Sequence, residues 1–160
     1  MQAFQIEGGV PLSGRIRVSG NKNEALPAIA CALLTDEPVI LENVPDILDV
    51  RVMLDIIREL GADVVYENPH RICLHTRKLK TTEVPAELAR RVRASILFAG
   101  PLLGRANRVD LPPPGGDVIG RRRLDTHFAG FEGLGAHFEF GSKFRGRAKS
   151  LVGGELFLDE

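Results

Sequence analysis

The sequence predicts an α/β fold built from repeated helix–strand–helix–strand–strand units. Three observations carry that prediction. Apolar residues switch repeatedly between the three-and-four spacing of a helix face and the two-residue spacing of a strand. The order of elements in the first half recurs in the second. The tripeptide Leu-Gly-Ala ends a helix in each half, at Leu60-Gly61-Ala62 and Leu134-Gly135-Ala136, an offset of 74, while Leu33-Leu34 and Leu102-Leu103 correspond at an offset of 69. One tripeptide match arises by chance; the preserved order of elements favours duplication.

The elements follow in order. Over 1–19, Phe4, Ile6, Ile16 and Val18 alternate around Gly8-Gly9 and Pro11, which predicts two short strands and a turn. A helix begins near Asn23, with Leu26, Ile29, Ala30 and Leu33 on one face and Pro27 near its first turn. A strand over 38–42 and the turn Asn43-Val44-Pro45-Asp46 follow. A second helix, about 49–60, turns Val50, Leu54 and Ile57 inward and is capped by Gly61. Val64 and Tyr66, then Ile72 and Leu74, mark two strands joined at Asn68-Pro69. The second copy opens with a helix over about 86–103, with Leu88, Val92, Ile96 and Ala99 on its face. A strand over 107–111, the loop 112–122, a helix carrying Leu124, Phe128 and Phe131, and a strand with Phe138 and Phe140 come next. Leu156 and Leu158 mark the expected last strand, which has no closing element after it and suggests a truncated repeat protein.

Composition narrows the function. The chain has 160 residues, 44% of them hydrophobic and 26% charged, enough for one sizeable core. Lys plus Arg is 21 and Asp plus Glu is 21, so the basic excess of a nucleic-acid binder is missing. The longest apolar run, 25–34, falls short of the roughly 20 residues of a membrane span. No apolar leader is visible at the N-terminus, so a cytoplasmic location is expected. Cys31 and Cys73 are too few for a disulfide framework or a cysteine-rich zinc site, and the four histidines show no metal-ligand spacing.

Three clusters can carry chemistry. Ser19-Gly20-Asn21-Lys22-Asn23 puts an ammonium and an amide at a helix start, where free N–H groups favour anions. A plain N-cap with a solvated lysine is the competing reading. Arg90-Arg91-Val92-Arg93 crowds cations at a helix start, against the helix dipole, a cost that a bound phosphate or carboxylate offsets. A solvated face beside Glu83 and Glu87 is the competing reading and the more common outcome for a charge run. The loop from Pro112-Pro113-Pro114 through Gly115-Gly116-Asp117 to Arg121-Arg122-Arg123 places one carboxylate between glycines and arginines. Eleven residues without secondary structure are often functional, and such a loop suits a lid carrying an acid to a polyanion. It lacks the Gly-Lys-Ser/Thr ending of a nucleotide P-loop.

Together these clusters resemble the enolpyruvyl transferase family. The resemblance runs through Ile6-Glu7-Gly8-Gly9, Ser19 to Pro27, Asn43-Val44-Pro45, Leu60-Gly61-Ala62, Arg93-Ala94-Ser95 and the stretch from Leu111 to Asp125. Lys22-Asn23 is similar to the branch acting on a sugar nucleotide. The branch acting on shikimate phosphate, with a serine-rich pattern after the lysine, fits less well.

The resemblance implies an inside-out α/β barrel enzyme of two domains and six repeat units. Residues 1–21 would be a strand pair belonging to the other domain, and 22–160 two repeat units, incomplete at the C-terminus. It implies transfer of the enolpyruvyl group of phosphoenolpyruvate to the 3-hydroxyl of UDP-N-acetylglucosamine, the first committed step of peptidoglycan synthesis, without metal or cofactor. Lys22 would contact phosphoenolpyruvate and Asn23 the sugar nucleotide. Arg93 and Arg122 would grip substrate, and Arg123, Leu124, Asp125 and Thr126 would line the uridine nucleotide. Asp117 stands where the family usually has a cysteine. It would act as proton donor if its pKa is raised well above about 3.9 in a closed cleft, and would make the enzyme insensitive to fosfomycin. The resemblance places a further aspartate and a further arginine in later repeats, so the 160 residues alone are expected to be inactive. Two alternatives remain: a lobe that binds a sugar nucleotide without turnover, and a relative acting on shikimate 3-phosphate.

Overall fold

The computed structural model of the chain describes residues 3–116 and 123–158. The first unit contains α1 (Lys22–Cys31), extended by a 3₁₀ turn (Ala32–Leu34), then β1 (Val39–Glu42), α2 (Leu48–Glu59), β2 (Asp63–Asn68) and β3 (Arg71–His75). The second contains α3 (Ala86–Ala89), a 3₁₀ segment (Arg93–Phe98) running into α4 (Ala99–Ala106), then β4 (Arg108–Leu111), α5 (Asp125–Gly133), β5 (Ala136–Phe140) and β6 (Phe144–Ala148). Each unit forms an antiparallel three-stranded sheet with its last strand in the middle, in the orders β1-β3-β2 and β4-β6-β5. The shared strand order confirms the duplication at the level of topology.

The repeated Leu-Gly-Ala ends α2 and α5 by the same device. Gly61 and Gly135 take φ +114° and +94°, the left-handed region where a Cβ is penalised. After α2, the N–H of Gly61 donates to the Arg58 carbonyl and that of Ala62 to the Ile57 carbonyl, both at 3.0 Å, which is the Schellman pairing. After α5, the N–H of Gly135 donates to Glu132 at 2.9 Å. The chain thereby turns from helix into the next strand in both copies.

Helices and sheets share one core. Leu26, Ile29, Ala30 and Leu33 of the first helical stretch are buried, as are Val50, Met53, Leu54 and Ile57 of α2. Phe98, Leu102 and Leu103 of the second unit join them, so the core crosses from one unit to the other without a break. Phe128 of α5 holds its unit's sheet, with ring centroids 4.9, 5.0 and 5.1 Å from Phe138, Phe140 and Phe144. Arg105, in the last turn of α4, ties the units together. Its guanidinium donates to the carbonyls of Leu33 (2.9 Å), Thr35 (3.0 Å), Thr76 and Arg77 (3.0 Å), all in the first unit or just after it.

Four expectations change. The strands expected over 1–19 are not formed among residues 3–19, where Phe4, Ile6, Leu12 and Ile16 are exposed and have no neighbouring strand to pair with. The helix expected over 86–103 breaks after α3. The N–H groups of Gly115 and Gly116 donate to the carbonyls of Ala89 (3.0 Å) and Arg90 (3.1 Å), which a continuous helix would offer to residues 93 and 94. Val92 is accordingly extended, at φ −143° and ψ 128°. Pro27 lies inside α1, not in its first turn, and leaves the Asn23 carbonyl without its helical donor. The last strand is Phe144–Ala148, not the segment of Leu156 and Leu158. Its Gly146 runs beneath the Phe138 ring, where a Cβ would come within 2.7 Å of ring carbons. No closed barrel forms among the described residues.

Candidate functional site

The start of α1 is fixed by its cap. Asn21 is extended, and its side-chain oxygen accepts from the Asn23 N–H at 2.7 Å, satisfying one of the helix's unpaired donors. Lys22 and Asn23 therefore stand in the first turn. The start of α2 lies alongside, and Asp49 in its first turn forms an ion pair with the Lys22 ammonium.

These groups border a cavity of about 450 Å³ between the two units. Lys22, Asn23, Leu26, Pro27 and Asp49 come from the first; Arg91, Val92, Arg93, Ile96 and Leu97 come from the break after α3 and the 3₁₀ segment; Gly116, Leu124 and His127 complete the wall. Two of the sequence clusters thus meet at one cavity, together with the described ends of the long loop. Lys22, Asn23, Arg93 and Leu124 are predicted site residues that the fold brings together although about a hundred positions separate the first from the last.

The remaining predicted residues fall in three groups. Asp117 and Arg122 lie outside the described residues. Arg123 is the first described residue after the loop, and its carbonyl accepts from the Arg93 guanidinium at 3.2 Å. Its side chain is paired with Asp125, Nε donating at 2.9 and 3.0 Å to the two carboxylate oxygens. The Arg123 hydrogen bond holds the Asp125 carboxyl below its ordinary pKa, and the same bond raises that of Arg123. Both groups are solvent-exposed, so the pair stays charged at neutral pH while adding little to stability. Thr126 is half-buried on α5 and is not part of the cavity wall.

Sequence reasoning missed Asp49 and His127 on the wall, and marked Arg91 only as one member of an arginine run. Nothing local marks Asp49, because its pairing with Lys22 is tertiary. Of the arginine run, Arg90 is occupied by Glu87, whereas Arg91 reaches the cavity. His127 follows the loop on the first turn of α5, and position after a functional loop is the signal that would have found it. The wall can hold an anionic ligand: Lys22, Arg91 and Arg93 outnumber the single carboxylate, Asp49. Among the described residues no group of three or more His, Cys, Asp or Glu is placed to hold a metal ion. No described helix is long and apolar enough to cross a membrane.

Residues 6–151 match the family model of EPSP synthase (3-phosphoshikimate 1-carboxyvinyltransferase). The chain belongs to this enolpyruvyl transferase family. Two relatives named UDP-N-acetylglucosamine 1-carboxyvinyltransferase are 58% and 51% identical over 160 residues, from Treponema pallidum and Treponema denticola. A third of that name, from Bradyrhizobium diazoefficiens, is 51% identical over 157 residues, covering 98% of this chain and 36% of that protein. The family member described here spans 38% of the length of each Treponema protein, all of its own length being matched. Two solved structures share the fold. The enolpyruvyl transferase NikO from Streptomyces tendae superposes with TM-score 0.76 at 24% identity, over 91% of this chain and 32% of that one. EPSP synthase from Acinetobacter baumannii gives TM-score 0.64 at 12% identity, over 89% and 33%.

Proposed function

We propose that the chain is the N-terminal part of an enzyme that transfers the enolpyruvyl group of phosphoenolpyruvate to the 3-hydroxyl of UDP-N-acetylglucosamine, releasing phosphate. The observation that carries this reading is the meeting of Lys22, Asn23, Arg93 and Leu124 at one cationic cavity. The names of the Treponema and Bradyrhizobium relatives support the choice of acceptor. The first committed step of peptidoglycan synthesis, in the cytoplasm, is the corresponding role. Residues 1–21 serve the other domain of the full-length enzyme, and 22–160 supply two repeat units of this one.

In this reading the substrate 3-hydroxyl gives up its proton to a base as its oxygen bonds to C2 of phosphoenolpyruvate, the C2–C3 double bond opens, and a proton is delivered to the methylene carbon. The resulting ketal then loses a proton from the methyl group and expels phosphate, restoring the double bond. Lys22 and Arg93 neutralise phosphate and carboxylate charge as it shifts. Asn23 orients the sugar nucleotide. Arg122 grips phosphate, Arg123, Leu124, Asp125 and Thr126 hold the nucleotide, and Asp117 supplies the proton to the methylene carbon.

Phosphate release by the full-length enzyme tests the assignment. Lys22→Gln and Arg93→Gln are each expected to lower kcat/KM by about 100-fold or more with the fold intact, as loss of a charged transition-state contact does. Near-normal turnover in both variants would remove the cavity from consideration.

A further inference from the structure

We infer that Arg91 is a specificity residue of this cavity, gripping the diphosphate of the nucleotide substrate; this rests on the function proposed above. The charges around the cavity make the case. Lys22 is paired with Asp49, Arg123 with Asp125, and Arg90 with Glu87. Arg93 donates to the Arg123 carbonyl. Arg91 lines the same wall, and its guanidinium has no side-chain partner among the described residues.

Its place in the chain is equally specific. The backbone N–H of Arg91 donates to Leu88 at 3.0 Å, closing the turn that ends α3. The loop glycines then claim the next two carbonyls, of Ala89 and Arg90, so the chain cannot continue as a helix. In an unbroken helix residues 90, 91 and 93 would be spread by about 100° per step around the axis. The break instead leaves Arg91 and Arg93 on one wall, with Arg90 excluded from it. Beside Arg93 on this wall, whose guanidinium meets the Arg123 carbonyl, Arg91 has no carboxylate paired with it among the described residues. A planar guanidinium there fits the paired oxygens of a diphosphate and has no charge to surrender when that group arrives.

Steady-state kinetics of the full-length enzyme test this with Arg91→Gln, Arg91→Lys and Lys22→Gln side by side. Arg91→Gln is expected to raise KM for UDP-N-acetylglucosamine about fivefold, in keeping with a solvent-exposed charge contact. KM for phosphoenolpyruvate and kcat should stay within about twofold. Competitive inhibition by UDP should weaken by a similar factor, inhibition by uridine should not change, and Arg91→Lys should recover only part of the loss, since an ammonium keeps the charge but not the fork. An unchanged KM for the sugar nucleotide in Arg91→Gln, with Lys22→Gln still strongly impaired, overturns this inference alone. Full activity in Lys22→Gln overturns the reading beneath it. Equal weakening of UDP and uridine would also overturn the inference, since it would show that the nucleoside and not the diphosphate is held.

Discussion

Asp117 carries the sharpest residue-scale prediction. In the proposed reaction it delivers a proton to carbon, a step typically worth 10²–10⁴-fold when a general acid is removed. Full-length Asp117→Asn keeps the shape but not the proton, and its turnover is expected to fall within that range. Asp117→Cys should stay active and become sensitive to fosfomycin, because a thiolate is the nucleophile that opens the epoxide. The parent should resist the drug. A purely conformational role beside Gly115 and Gly116 expects the opposite, since Asn tolerates the same turns as Asp. Turnover of the three proteins with and without fosfomycin separates the two: near-normal Asn variant activity sinks the acid. Lys22, Asn23 and Arg93 were legible as candidates because helix starts and charge runs are local patterns. Asp49 was not, because what defines it is a partner supplied by distant chain, and Arg91 stood out from Arg90 only once the fold put it on the wall.

Among elements, the break between α3 and the 3₁₀ segment has the greatest bearing on the site. Apolar spacing at Leu88, Val92, Ile96 and Ala99 is compatible with one long helix, and three of these four are indeed buried. Periodicity cannot show that a glycine loop twenty-six residues onward will take the carbonyls of Ala89 and Arg90. The same blindness hid β6, whose Phe-Arg-Gly-Arg-Ala reads as polar until its neighbours supply a ring for Gly146 to pass beneath. Two stability predictions follow from the element contacts. A Cβ at Gly115 would lie 1.7 Å from the Arg90 carbonyl oxygen, so Gly115→Ala must push the loop off the helix end. It is expected to cost about 1–3 kcal/mol in urea unfolding and to raise KM for substrate, because the loop and Arg91 move together. Arg105→Ala leaves the carbonyls of Leu33, Thr35, Thr76 and Arg77 without their donor. A loss of about 2–3 kcal/mol is expected there, and Arg105→Lys should restore only part of it, since one ammonium cannot reproduce the fork. A stability within about 0.5 kcal/mol of the parent would show that the clamp contributes little.

At the scale of the molecule, folding and catalysis are expected to separate. The core runs unbroken through both units, with Leu33, Met53, Ile57, Phe98, Leu102 and Leu103 all fully buried. A core of that kind supports cooperative unfolding of the 160 residues as one body. The cavity is another matter. Its described wall comes from two units, while the chain matches 38% of the Treponema relatives' length. The proposed reaction needs two substrates held together and shielded from water, and both positioning and exclusion demand surface on more than one side. The purified 160-residue chain is therefore expected to give a single urea transition and no phosphate release from phosphoenolpyruvate with UDP-N-acetylglucosamine. Adding the remaining length should restore turnover without moving that transition's midpoint downward. The apolar residues of the N-terminal arm, Phe4, Ile6, Leu12 and Ile16, should then lose accessibility to hydrogen exchange and proteolysis, because the added domain gives them a surface to pair with. Turnover by the monomeric 160-residue chain would refute the division. An arm that stays equally exposed in the full-length enzyme would refute the assignment of residues 1–21 to the other domain.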